Sequence, residues 1–175
     1  RGRAREQSAR LRRHMKEPTI ETIAQARLVG FGARMTLRSD ATVALWQRLM
    51  PRRNEIRNRT TNDYVSMRVY EPMPVAQMFA PDTEFEKWAA IEVADHGSVP
   101  DGMQTYTLEG GRYAVFLHEG PASRFPETMR YIFGEWLPQS GFTLDAREQF
   151  ERLPEGYSPA DENAYEHVYI PVVSR

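Results

Sequence analysis

Cysteine is absent from the 175 residues, which removes disulfides, thiolate nucleophiles and cysteine metal sites from consideration. A chain without thiols suits a reducing compartment, so a cytoplasmic location is expected. Histidine is scarce, with four in the chain, and none stands at metal-ligand spacing, so neither a metal nor a cofactor is expected. No apolar run approaches the roughly 20 residues that span a bilayer, and the Arg-rich start lacks the apolar stretch of a signal peptide. No membrane partner is expected. Phosphate-binding glycine loops and a Ser/His/Asp signature are missing as well. These absences favour recognition over catalysis, and no catalytic residue is assigned.

At 41% hydrophobic and 27% charged residues, the chain has material for one substantial core or two small fused modules. The net charge of -1 hides a division: residues 1–16 hold seven Lys or Arg and one Glu, leaving sixteen basic and twenty-three acidic residues beyond them. Residues 1–17 read as a basic leader or linker remnant, with the Ala, Leu, Arg and Gln content of a helix. Such a helix could touch DNA or an acidic partner. RGRAR, LRRH and the loop PRRNEIRNR bring no helix-turn-helix pattern and no aromatic-basic strand, so direct nucleic-acid binding is not expected. The acidic body could instead draw a cation into a cleft.

Periodicity divides residues 18–175 into two modules, about 18–95 and 103–172. The first reads as a long extended stretch over 18–36 with a bulge at Gly30 or Gly32, a helix from Ala41 to about Met50, a strand over Tyr64–Tyr70, a short strand between Met73 and Phe79, and a strand through Trp88 to Val93. Pro51 marks the end of that helix. After the linker ADHGSVPDG, strands are predicted over Met103–Leu108 and Tyr113–Leu117, a helix over Ser123–Trp136, and strands over Arg147–Glu151 and Tyr165–Val172. The predicted class is α+β: duplicated β-α-β-β modules form an antiparallel sheet with helices on one face and a central ligand cleft.

Aromatic side chains beside isolated carboxylates are the main chemical clue. Trp46 lies on the apolar side of the first helix, and Trp88 on a strand of the same module. Tyr131 and Glu135, four apart on the second helix, with Trp136 beside them, could hold an apolar cation by ring contact and charge. On the last strand, Glu166 and Tyr169 fall on opposite faces under simple alternation, which forces a choice between them; His167 is a polar alternative to Glu166. A carboxylate in an aromatic cavity needs a partner or a proton, and a cationic ligand could be that partner. The expected ligand-binding set is Trp46, Trp88, Tyr131, Glu135, Trp136, Glu166, His167 and Tyr169. Glu166, Tyr131 or His118 could alternatively serve proton transfer in an enzyme.

The runs GGRYAVFLHEGP, PETMRYIFGEWLPQSGF and REQFE resemble the GyrI-like small-molecule-binding family, also met as the effector-binding domain of AraC-type and MerR-type transcription regulators. Tyr113 and Ala114 match the family strand, Gly120 and Pro121 its turn, and Trp136, Leu137, Ser140 and Gly141 its helix exit; the likeness in element order runs from about Pro18 to Pro171. The resemblance implies a cleft that takes hydrophobic, sometimes cationic, molecules, with multidrug binding linked to transcription. It implies an acidic residue on the final strand, which corresponds to Glu166, whereas counting back from Pro171 puts His167 in that phase. Partners implied are a hydrophobic or cationic small molecule, a DNA-binding domain or regulatory protein, and a homodimer mate. Two alternatives come with it: a hydrolase of a reactive hydrophobic molecule, and a gyrase-inhibitor-like protein-binding module.

Overall fold

Strict alternation makes strands here, and one sheet gathers nearly all of them. The computed structural model describes residues 2–72 and 75–175, apart from the side chains of residues 7, 8, 11–14 and 75. In chain order these form helix α1 (Gly2–His14), strands β1 (Thr19–Ile23) and β2 (Ala26–Met35), helix α2 (Thr42–Leu49), and strands β3 (Tyr64–Val69), β4 (Phe85–Val93), β5 (Gln104–Leu108) and β6 (Gly111–Glu119). Helix α3 (Phe125–Tyr131) and strands β7 (Phe142–Leu144), β8 (Gln149–Leu153) and β9 (Tyr165–Ser174) complete them. The sheet order is β1-β6-β9-β8-β3-β4-β2-β5, with β7 added alongside β9, and the pairings run antiparallel.

Outward from the β8–β3 pair, one side reads β3-β4-β2-β5 and the other β8-β9-β6-β1. The unit β2-α2-β3-β4 is thus repeated as β6-α3-β8-β9, and the two units meet at a central seam where Ser66 faces Glu151 and Arg68 faces Gln149. The sheet is open, not closed into a barrel, and both helices pack on one face. Val29, Phe31, Leu45, Leu49, Phe85 and Ile91 fill the first unit under α2. Ala114, Phe116, Met129, Ile132, Val168 and Ile170 fill the second under α3. Trp88, Tyr113, Phe150 and Met67 bury the opposite face.

Several local expectations are corrected. The long first stretch breaks at residues 24–25 into β1, which pairs with β6, and β2, which pairs with β4 and β5. No bulge occurs at Gly30 or Gly32, since the β2–β4 register is continuous from Arg27 to Met35. Close approach explains glycine at position 32: a Cβ there would stand 2.4 Å from the Trp88 ring. Helix α2 does end just before Pro51, at Leu49, and the chain then continues as a 3-10 segment, Met50–Glu55, where a proline at the second position costs no hydrogen bond. Of the expected strand between Met73 and Phe79, Val75–Gln77 is a single 3-10 turn, while Met73 and Pro74 lie outside the described residues. The second helix widens into a π segment over Ile132–Trp136. Among the described residues, no helix is long and apolar enough to cross a membrane.

Candidate functional site

On the helix-bearing face, the seam carries charge where apolar residues are the rule. In β4 the inward phase is Phe85, Lys87, Ala89, Ile91 and Val93, so Lys87 sits in a hydrophobic row and is only 7% exposed. Arg68 lies directly across from it on β3, and Glu151 and Glu166 reach the same face from β8 and β9, both buried. Two cations and two carboxylates, one pair from each unit, therefore meet in the centre of the sheet.

Their pairing is incomplete. Arg68 Nη1 donates to Glu151 Oε1 at 3.0 Å, with side-chain exposures of 14% and 5%, while Glu151 Oε2 is buried without a hydrogen-bond partner. A bare buried acceptor costs about 1–3 kcal/mol and marks a place where a donor would be gained. Burial, reinforced by the charge of Glu151, raises the Glu166 carboxyl to about 7, against the opposing effects of the Tyr157 hydroxyl that donates to it and of Arg68 and Lys87. Burial, with Arg68 beside it, lowers the Lys87 ammonium to about 8, against Glu151, Asp40 and Glu166. Among the described residues, Lys87 makes no ion pair.

Hydrophobic groups from both units close over these charges. Tyr70 donates from its hydroxyl to the Met78 carbonyl at 3.3 Å, and Gln149 Nε2 lies 3.2 Å from the Met78 sulfur. Phe79 meets Phe133 of the second unit edge-on, centroids 5.2 Å apart, and the Arg68 guanidinium lies 5.9 Å from the Phe125 ring centroid at the start of α3. Met78 is buried whereas Phe79 is 48% exposed. The turn that carries them thus covers the seam. Two open recesses lie elsewhere. One, of about 550 Å³, separates α1 from the beginning of α3 and includes Arg10, Met15, His118, Arg124 and Glu127. The other, of about 250 Å³, includes Tyr70, Tyr106, Arg147 and Glu148.

The residues expected from sequence fall into three places. Glu166 is at the seam, and it alternates with the exposed His167, whose ring meets Tyr165. Trp88 and Tyr169 lie on the opposite face: Trp88 against Tyr106, and Tyr169 stacked on Phe150 with centroids 4.4 Å apart and covered by Arg152. Tyr131 and Trp136 pack edge-on against Phe116 in the second unit's core, Glu135 is half-buried on the same helical segment, and Trp46 is half-buried against Tyr64 in the first unit. Arg68, Lys87 and Glu151 were not anticipated. Lys87 had a signal, a charged residue in the apolar phase of a strand beside Phe85, Ala89 and Ile91; Arg68 and Glu151 had none, because Ser66 and Gln149 make their strand phases read as polar.

His118 pairs in register with Glu166 across the β6–β9 ladder. A carbonyl can only accept, so Nε2–H donates to the Pro121 oxygen at 3.3 Å and Nδ1 accepts from the Thr128 hydroxyl at 2.7 Å. Burial lowers its pKa, opposed by the Pro121 hydrogen bond. The ring is a neutral, doubly bonded strut. Among the described residues there is no group of three or more His, Cys, Asp or Glu side chains suited to a metal.

Comparison with known proteins agrees with this architecture. The transcriptional regulator BrlR of Pseudomonas aeruginosa is 30% identical over 134 residues, which is 76% of this chain and 47% of BrlR, so the chain spans about half the length of that relative. The structure of SAV2435 bound to tetraphenylphosphonium is similar with a TM-score of 0.70 at 16% identity, covering 90% of this chain and 94% of that one. The EcmrR C-terminal domain gives a TM-score of 0.67 at 13% identity, covering 93% and 99%. These two likenesses are of fold alone. The GyrI-like small molecule binding domain matches residues 16–173. The chain belongs to the GyrI-like small molecule binding family.

Proposed function

We propose that this chain senses a hydrophobic, cationic small molecule at the seam between its two units and passes occupancy to a transcription-regulating partner. The observation that carries the reading is Glu166, a carboxylate buried on the helix-bearing face where both units contribute charge. An apolar cation placed over Arg68, Glu151 and Glu166 would give Glu166 the countercharge its burial withholds, and it would gain about 25 cal/mol for each Å² of apolar surface removed from water. Room is made by the Val75–Ala80 turn: Met78 and Phe79 leave the seam, and Phe133 and Tyr157 become walls of the resulting cleft. Of the wider expected set, Trp46, Tyr131, Glu135 and Trp136 stand around this cleft as supports of its helices. Trp88, His167 and Tyr169 are left to the outer face, where Arg152 already supplies Tyr169 with a cation.

Relatives support the reading in two ways. SAV2435 has been seen with tetraphenylphosphonium, an apolar cation, and BrlR is a transcriptional regulator. Titration of tetraphenylphosphonium and of neutral triphenylphosphine oxide into the wild type, Glu166→Gln and Glu135→Gln tests it. The cation is expected to bind the wild type more tightly than the neutral compound, with the difference lost in Glu166→Gln and kept in Glu135→Gln. Equal binding by all three proteins refutes a charge role for Glu166.

A second reading is favoured by one observation: a carboxyl at about 7 beside another carboxylate suits general acid-base chemistry at neutral pH. Hydrolysis of a reactive hydrophobic molecule would consume its substrate over time. A sensor returns its ligand unchanged.

A further inference from the structure

The chain holds only two lysines against twenty-one arginines. One, Lys16, is exposed at the end of the basic leader; the other, Lys87, is buried in the middle of the sheet. An arginine at position 87 would serve any purely electrostatic purpose without losing its charge. What lysine offers instead is an amine that can shed its proton and act as a nucleophile.

We propose that Lys87 is a covalent capture point for hydrophobic aldehydes, which it holds as a reversible imine. The inference rests on the reading that the seam admits small molecules, and adds a ligand class to it. Its geometric basis is the surroundings of Lys87. Arg68 lies across the ladder on β3 and is itself paired with Glu151, while Glu166 accepts from Tyr157. Glu151 and Glu166 are thereby engaged, and among the described residues no ion pair fixes the ammonium in its charged form. A lysine deprived of water and placed next to another cation is the arrangement that activates amines. Burial and Arg68 act in that direction, while Glu151, Asp40 and Glu166 oppose it.

The chemistry balances with the residues present. The neutral Nζ attacks the carbonyl carbon, the carbonyl π pair moves to oxygen and takes up a proton from the Glu166 carboxyl, and the nitrogen returns a proton to the resulting carboxylate. Loss of the hydroxyl as water, assisted by the same acid, leaves the protonated imine. Amine and aldehyde give imine and water, with no oxidant or reductant consumed.

The test uses the full chain with biphenyl-4-carbaldehyde, trapped by cyanoborohydride and mapped by peptide mass spectrometry. At pH 7.4 an amine titrating near 8 has over a hundredfold more free base than an ordinary lysine; the loss in nucleophilicity and access to the seam reduce the expected excess of Lys87 adduct over Lys16 adduct to at least about tenfold. Labelling should saturate with aldehyde concentration, fall on addition of biphenyl-4-methanol, and vanish in Lys87→Arg. Adduct at Lys16 equal to that at Lys87 overturns the inference, and no folding defect in a variant can disguise that result, because both lysines are compared in the wild type. If the alcohol binds at the seam but Lys87 stays unlabelled, covalent capture fails while small-molecule binding stands. If neither compound nor tetraphenylphosphonium binds, both readings fail together.

Discussion

Replacing Glu166 by Gln should stabilise the protein at neutral pH and do little in acid. In the fold this carboxyl titrates near 7, lifted from 4.5 mainly by burial and by Glu151. A carboxyl raised by folding binds more protons in the native state than in the unfolded one, so the native protein loses stability as pH rises from about 4.5 through 7. Each pKa unit is worth about 1.4 kcal/mol. Integrated from pH 5 to pH 7.5, the wild type forfeits about 2 kcal/mol that Glu166→Gln retains. Arg68, Lys87, Tyr157, Glu151 and His118 all remain around the amide, and the Tyr157 hydroxyl can still donate to its oxygen. Urea unfolding of both proteins at the two pH values measures the difference of differences. If the gap between wild type and variant stays constant within about 0.5 kcal/mol across that range, the carboxyl is not held protonated by its site.

Other outcomes follow from the same geometry. Arg68→Met should cost about 3–5 kcal/mol by leaving Glu151 charged, buried and alone, and adding Glu151→Gln should recover much of the loss; a double-mutant cycle by chemical denaturation reads the coupling. Met78→Ala should unfold at lower denaturant because Met78 is buried, yet bind tetraphenylphosphonium more tightly, since less must be displaced; weaker binding in calorimetry would make Met78 a ligand wall and not a cover. Gly32→Val should destabilise by more than about 1–3 kcal/mol, because its side chain would run into the Trp88 indole, and the fluorescence of that buried tryptophan reports the disturbance.

Much of the fold was legible because alternation is unambiguous in strands such as Tyr64–Val69 and because the order of elements repeats. β7 was not: three residues carry too little period, and Phe142 and Leu144 read equally as a loop. The break between β1 and β2 escaped notice because Ala24 and Gln25 carry no turn signal, although the chain changes sheet partner there. For the site, alternation separated Glu166 from Tyr169 correctly. Which of Glu166 and His167 shares the face of the helices needed coordinates, because it depends on which phase of β9 meets them. Aromatic content drew attention to Trp88, which packs on the face away from α2 and α3, while its neighbour Lys87 pointed to the seam. A single charged residue in the apolar phase of a buried strand was a signal that Lys87 carried, whereas Arg68 and Glu151 share their strand phases with the polar Ser66 and Gln149 and carried none.

The most direct test of the central claim is a crystal structure of the chain with tetraphenylphosphonium. The account predicts the cation between the units, above Arg68, Glu151 and Glu166, with Met78 and Phe79 moved off the seam. Binding in the recess between α1 and α3, with Met78 still against Gln149 and Tyr70, would contradict it.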